Sequence, residues 1–269
     1  MKITKLLSES AAGCAFVPTM GALHAGHQSL IAKARELSDE VVVSVFVNPL
    51  QFEDKTDLAK YPKTPDQDAR LAQAAGATTL WTPDYETIYP TETKKLSAGE
   101  LGSKFEGVHR LGHFDGVLTV VNRLFEIVKP RYAIFGEKDF QQLFLISKMA
   151  TELHPEIEIV AAPTVREPNG LAMSSRNVRL TAESRKAAEV ISQVLFNAAK
   201  AESISEAKLE LAKIKDETRF KLDYAEIIDE DSFALATEET TKPRAIIAGW
   251  IDGVRLIDNM ALQPALVRI

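Results

Sequence analysis

Two imidazoles three residues apart, His24 and His27, lie in the run Pro18-Thr19-Met20-Gly21-Ala22-Leu23-His24-Ala25-Gly26-His27. A short apolar stretch enters this glycine-bearing loop, and Leu30, Ile31, Ala34 and Leu37 then recur at helical spacing, so the pair falls near a helix N-terminus. Unpaired N–H groups and the positive dipole end of a helix favour a bound anion there, and two rings add donors aimed at the same place. Phosphate handling is the chemistry this pattern points to. Two other readings stay open. The histidines could be ordinary surface or core residues beside a turn, or part of a metal site, for which His109, His113 and His154 are the only further imidazoles.

A second cluster is Phe135-Gly136-Glu137-Lys138-Asp139, followed by Gln141 and Gln142. It sits where a strand pattern gives way to a helical one, the edge of an α/β sheet at which ligands bind. Lys138 could hold phosphate and Asp139 a ribose hydroxyl, although the same residues would serve as a polar, helix-capping turn. Asn48 and Gln51 follow another apolar run, where uncharged amides could orient a polar substrate or cap a strand end. The third cluster, Ala172-Met173-Ser174-Ser175-Arg176, comes after an Asn169-Gly170 turn. Two hydroxyls and a guanidinium on a mobile loop suit a triphosphate whose charge shifts during reaction; the alternative is a cap with a solvated arginine.

These clusters need elements to hold them. The first half reads as strands at 14–17, 41–47, 78–81, 132–135 and 157–161, with helices beginning near Gly26 and at 66–75, 117–128 and about 140–153. The run at 41–47 is apolar at all but one position, as expected of a central strand covered on both faces. Strand and helix in alternation predict an α/β fold, a Rossmann-like doubly wound parallel sheet. Composition changes near Pro163. Beyond it come helical segments at 182–201 and 204–215 and strands at 222–228, 245–251 and 254–257, the last two joined by Asp252-Gly253, a hairpin signal. The domains expected are therefore 1–163, binding nucleotide, and 164–269, a smaller C-terminal α+β lid. The stretch 84–106 reads as loops.

Composition sets limits on partners. A chain of 269 residues is long enough for one or two domains. With 38 acidic and 32 basic side chains its net charge is −6, which argues against a broad nucleic-acid footprint. The single cysteine, Cys14, excludes an intramolecular disulfide. The stretch 10–32 carries no charged side chain, but Gly13, Pro18, Gly21 and Gly26 break it, so neither membrane insertion nor export is expected and a cytoplasmic location is.

The three clusters in this order resemble the nucleotidyltransferase superfamily with a His-x-Gly-His signature, and within it the pantothenate synthetase family. Matching blocks also include Phe46-Val47-Asn48-Pro49-Leu50-Gln51-Phe52, Tyr61-Pro62-Lys63-Thr64, Gly112-His113-Phe114, Pro163-Thr164-Val165-Arg166 and Arg255-Leu256-Ile257-Asp258-Asn259. The resemblance implies a two-step ligation of pantoate and β-alanine through a pantoyl adenylate, with ATP as substrate, magnesium bound through its phosphates and no protein metal site.

It further implies that His24 and His27 contact phosphate, His27 being the better proton donor. By the same resemblance, Lys138 holds phosphate, while Met20, Gly21, Gly136, Glu137 and Asp139 line the nucleotide. Val165 lies near adenine, and Met173, Ser174, Ser175 and Arg176 close over the triphosphate. Gln51 and Gln142 would bind pantoate's oxygens, Met20, Val117 and Val120 its dimethyl carbon, with Asn48, Arg110 and His113 as further pocket members. A homodimer is implied too. Two departures stand out: Leu111 replaces the family's usual proline after Arg110, and the segment before Pro18 is short. Two other readings are an enzyme that leaves the nucleotide on its product, and a nucleotide-binding module without catalysis.

Overall fold

The computed structural model of the chain describes residues 1–7, 12–52, 58–59 and 61–262. They form two compact units, one of Met1–Glu137 with Gln141–Pro163, the other of Lys138–Phe140 with Thr164–Ile269.

The first unit is built on a parallel six-stranded sheet in the order β1-β4-β3-β2-β5-β6. Its strands are β1 (Lys2–Thr4), β2 (Ala15–Thr19), β3 (Val41–Val45), β4 (Thr79–Trp81), β5 (Tyr132–Gly136) and β6 (Glu158–Ala162). Between them run α1 (Ala25–Leu37), α2 (Pro65–Ala74), the single turn α3 (Tyr85–Ile88), α4 (His113–Val128) and α5 (Phe140–Leu153). Alternate residues Ala15, Val17, Val41 and Val43 share one apolar cluster with Ile31 and Ala34 of α1 and Ala72 of α2. On the opposite face Phe125 of α4 meets Phe135 of β5 edge to face, 6.4 Å between ring centres. Helices thus cover both faces, and the expected α/β, doubly wound arrangement is borne out, with β3 between β2 and β4.

The elements differ from expectation at four places. β1 pairs in parallel with β4 and went unread because three residues carry too little periodicity. β2 continues through Pro18 to Thr19, whose hydroxyl donates to the Ser44 carbonyl at 2.7 Å and whose carbonyl accepts from the Phe46 N–H. α4 begins at His113, four residues before the periodic pattern, because Gly112 takes the left-handed conformation (φ 70°) that turns the chain into the helix. Within 84–106, expected to be loop, lie α3 and a 3₁₀ turn at Glu100–Ser103.

The second unit carries an antiparallel sheet, β7 (Phe220–Asp229), β8 (Pro243–Ile251) and β9 (Val254–Ala261). Asp252 and Gly253 make the two-residue turn between β8 and β9, both with positive φ (47° and 78°). One apolar cluster joins Ile227, Ala245, Ile247 and Ile251 of the sheet to Ile191 and Leu195 of α6 (Ala182–Ala198) and Leu211 of α7 (Ile204–Ala212). Three residues that follow β5 belong here. Phe140 stacks on Phe233 at 6.0 Å with Arg244 4.0 Å above its ring, and the Lys138 carbonyl accepts from Asn259 Nδ2 at 2.9 Å.

Candidate active site

In the first unit the chain leaves β2 to one side, through β3 and β4, then returns to β5 on β2's other side. That reversal is a topological switch point, and ligands of open α/β sheets bind at the carboxyl ends of the strands beside it. The loop after β2 and the first turn of α1 carry Met20 to His27, the turn after β3 carries Asn48 and Gln51, and β5 ends on Gly136 with Glu137 next. Because the strands are parallel, all of these come to one sheet edge.

The histidines build the start of α1. His24 is its N-cap, and its Nδ1 accepts from the Gly26 N–H at 3.1 Å. His27 answers three residues on, its Nδ1 accepting from the His24 N–H at 3.3 Å. The rings lie 4.1 Å apart, tilted by 47°. This is a capping box made by imidazoles where Ser/Thr and Glu/Gln usually make it. A backbone N–H can only donate, so each Nδ1 must be unprotonated and each neutral ring carries its proton on Nε2. Both rings lie at a helix N-terminus, a setting that suits an anion.

Asp68 on α2 fixes the loop before them. This buried carboxylate accepts from the Ala22 and Leu23 N–H groups at 3.2 and 2.8 Å and from Thr64 Oγ1 at 3.0 Å. The loop it grips is left-handed at Gly21 (φ 82°) and Ala22 (φ 51°), and a Cβ on Gly21 would come within 2.9 Å of Asp68 Oδ2. Sequence reasoning missed Asp68. Its signal was faint: an acidic residue one turn after a Pro-initiated helix reads as a dipole-compensating surface charge.

The amides after β3 sit on a short 3₁₀ turn, Pro49–Gln51, against α4. The contact is close, for a Cβ on Gly116 would lie 2.3 Å from the Leu50 carbonyl oxygen. His113, at the first position of α4, is buried and its Nδ1–H donates to the Gln51 carbonyl at 2.9 Å. Asn48 is fully buried. Its Oδ1 accepts from Leu50 N–H (3.2 Å) and Tyr89 Oη–H (2.7 Å), and its Nδ2 donates to Gln51 Oε1 (3.0 Å) and the Gly116 carbonyl (3.1 Å). Gln51, Val117 and Val120 are nearly buried; Met20 and Gln142 are half-buried. The neighbouring Gln141 has a different task, bridging the Leu101 and Lys104 carbonyls and the Glu106 N–H.

The second unit holds the other candidates. Lys138 Nζ lies 3.9 Å from Asp139 Oδ2. Residues 164–173 fold back on themselves, the Met173 N–H donating to the Val165 carbonyl, around a turn at Gly170 (φ 89°). Ser174 caps the 3₁₀ turn Ser175–Arg179, its Oγ accepting from the Arg176 N–H at 3.2 Å. Arg185 pairs with Glu167 and donates to the Asn177 carbonyl, on either side of this segment. Arg166 is held by Asp258 in a two-pronged pair at 2.6 and 3.0 Å. Burial pushes the Asp258 carboxyl above the usual carboxylate range, and the Arg166 guanidinium pulls it back. Asp258 thus holds the Arg166 side chain, and Asn259 holds the Lys138 carbonyl.

The chain matches the family described as pantoate-beta-alanine ligase over residues 2–261. It is 53% identical over 183 residues to a pantothenate synthetase of Bacteroides fragilis, an alignment that spans 68% of this chain and 65% of that relative. The crystal structure of pantothenate synthetase from Thermus thermophilus superposes with a TM-score of 0.92 at 39% identity, covering 98% of this chain and 100% of that one. A pantoate-beta-alanine ligase from Francisella tularensis, complexed with beta-gamma ATP and beta-alanine, superposes with a TM-score of 0.79 at 34% identity, covering 97% of each chain.

Proposed function

Because the chain belongs to the pantoate-beta-alanine ligase family, we propose that it condenses pantoate with β-alanine, using ATP and releasing AMP and pyrophosphate. A pantoate carboxylate oxygen attacks the α-phosphorus of ATP, the bond to the β-phosphate breaks, and pyrophosphate leaves. The β-alanine nitrogen then attacks the acyl carbon of the adenylate, AMP departs, and the amine gives up a proton. Negative charge builds on phosphate oxygens in the first step, so donors already in position there lower the barrier most.

The observation that carries this reading is the reciprocal histidine cap, which places two imidazoles, each bonded to the backbone through Nδ1, at a helix N-terminus beside the switch point. In this reading His24, His27 and Lys138 contact phosphates, and Gly21, Gly136, Glu137 and Asp139 serve the nucleotide. Val165 faces adenine, and Met173 to Arg176 serve the triphosphate. Gln51 and Gln142 take pantoate's oxygens while Met20, Val117 and Val120 supply apolar contact for its quaternary carbon. Magnesium enters as the counter-ion of the ATP phosphates. The test is to incubate the protein with ATP and pantoate, omitting β-alanine, and to trap the acyl adenylate. Pyrophosphate release that requires pantoate is expected, with AMP appearing once β-alanine is added; AMP formation indifferent to pantoate would sink the reading.

A further inference from the structure

The Asn48 side chain has no hydrogen-bonding capacity left for a ligand. Two of its partners are main-chain groups whose roles cannot reverse: the Leu50 N–H only donates and the Gly116 carbonyl only accepts. They fix which end of the Asn48 amide is oxygen. The second Nδ2 hydrogen must then meet an acceptor, so the end of Gln51 that faces Asn48 is Oε1, and the phenol of Tyr89 must donate to Asn48 Oδ1. Polarity therefore passes from the backbone through Asn48 to Gln51, and Nε2 is the end of Gln51 left for a ligand. Tyr89 is itself buried against Phe46 and Tyr85, and burial pushes its phenol well above the usual range, which keeps the hydroxyl protonated as this arrangement requires. His113 holds the Gln51 carbonyl, so the backbone of Gln51 is pinned as well as its amide.

We propose that Tyr89 and Asn48 are positioning residues, a relay that orients Gln51 so that this point of the site donates to a ligand oxygen and rejects a group that can only donate. This rests on the reading that Gln51 binds the hydroxy acid. It also changes the expectation for Asn48, from a residue touching substrate to one acting through Gln51. Nothing in the residue types alone distinguishes the two, since an amide after a strand fits either.

The experiment has one arm without substrate and one with it. In the free protein, ¹⁵N NMR of the Asn48 side-chain amide is expected to show hydrogens protected from exchange with solvent; rapid exchange overturns the relay whatever the enzyme acts on. In the second arm, Tyr89→Phe keeps the ring and removes one hydrogen bond, so KM for pantoate is expected to rise about three- to tenfold while KM for ATP holds. In a Gln51→Ala background the same change is expected to leave kcat/KM for pantoate where it was, because the relay has nothing left to orient. An unchanged KM in Tyr89→Phe, or an equal loss in both backgrounds, overturns the proposal. A wild type that releases no pyrophosphate with pantoate counts instead against the ligase reading, and the exchange arm still decides the relay.

Discussion

His24 and His27 each use Nδ1 to cap α1, so a substitution that separates capping from the proposed chemistry is informative. His27→Ala is expected to lower turnover on the order of 10²- to 10³-fold, as for loss of a donor to a developing anion, and to cost about 1 kcal/mol of stability through the lost cap. His27→Asn places an amide oxygen near the position of Nδ1. It should recover the unfolding midpoint without recovering turnover, and recovery of both would remove His27 from the reaction. Cys14 illustrates the opposite case of a side chain with reactive chemistry kept silent. It is buried between strand and loop, and burial pushes its thiol up to about 12, so almost no thiolate exists at neutral pH. Maleimide labelling at pH 7.5 is expected to be negligible in the folded protein and fast in urea; fast labelling of the folded protein would contradict this burial.

At the scale of elements, the site depends on how tightly α4 lies on the Pro49–Gln51 turn. Gly116→Ala raises intrinsic helix propensity by about 1 kcal/mol, yet its methyl group would overlap the Leu50 carbonyl at 2.3 Å. Overpacking of this kind typically costs about 1–3 kcal/mol, so the variant is expected to unfold at lower urea and to bind pantoate more weakly, since Asn48 and Gln51 ride on the displaced turn. A denaturation midpoint at or above wild type would show that the turn yields easily. Much of this layer was legible beforehand: the strands at β3 and β5, and the helices at 65–74 and 140–153, follow from apolar periodicity that local spacing records. The start of α4 and the edge strand β1 were not, because one depends on a left-handed glycine and the other on a pairing with residues more than seventy positions away.

For the whole molecule the decisive charges are few and local. If ATP is the substrate, as proposed, the net charge of −6 opposes it, so affinity has to come from particular donors. In the C-terminal unit the pair Arg166–Asp258 is nearly buried, with side-chain exposures of 16% and 2%, low enough that losing one partner strands the other away from water. Arg166→Met is therefore expected to cost about 3–5 kcal/mol. The pH dependence has a definite sign. A buried carboxyl without its guanidinium holds its proton to higher pH in the folded state than in the unfolded chain, so the destabilisation should grow as pH rises above about 4. Urea midpoints at pH 5 and pH 8 check this, with the larger loss expected at pH 8; equal losses would mean that Asp258 is solvated once Arg166 is gone.

The linear order of residues by itself determined the α/β class, the change of composition near Pro163 and the three clusters proposed to handle phosphate, because periodicity, turn chemistry and side-chain type are local properties. The role of Asp68 in gripping Ala22 and Leu23 was decided only by the folded structure, as were the tautomers of His24 and His27, the saturation of the Asn48 side chain and the attachment of Lys138–Phe140 to the C-terminal unit. The histidine cap is confined to residues 24–27 but depends on the backbone geometry of the helix start; the others rest on hydrogen bonds or ring contacts that join residues dozens of positions apart.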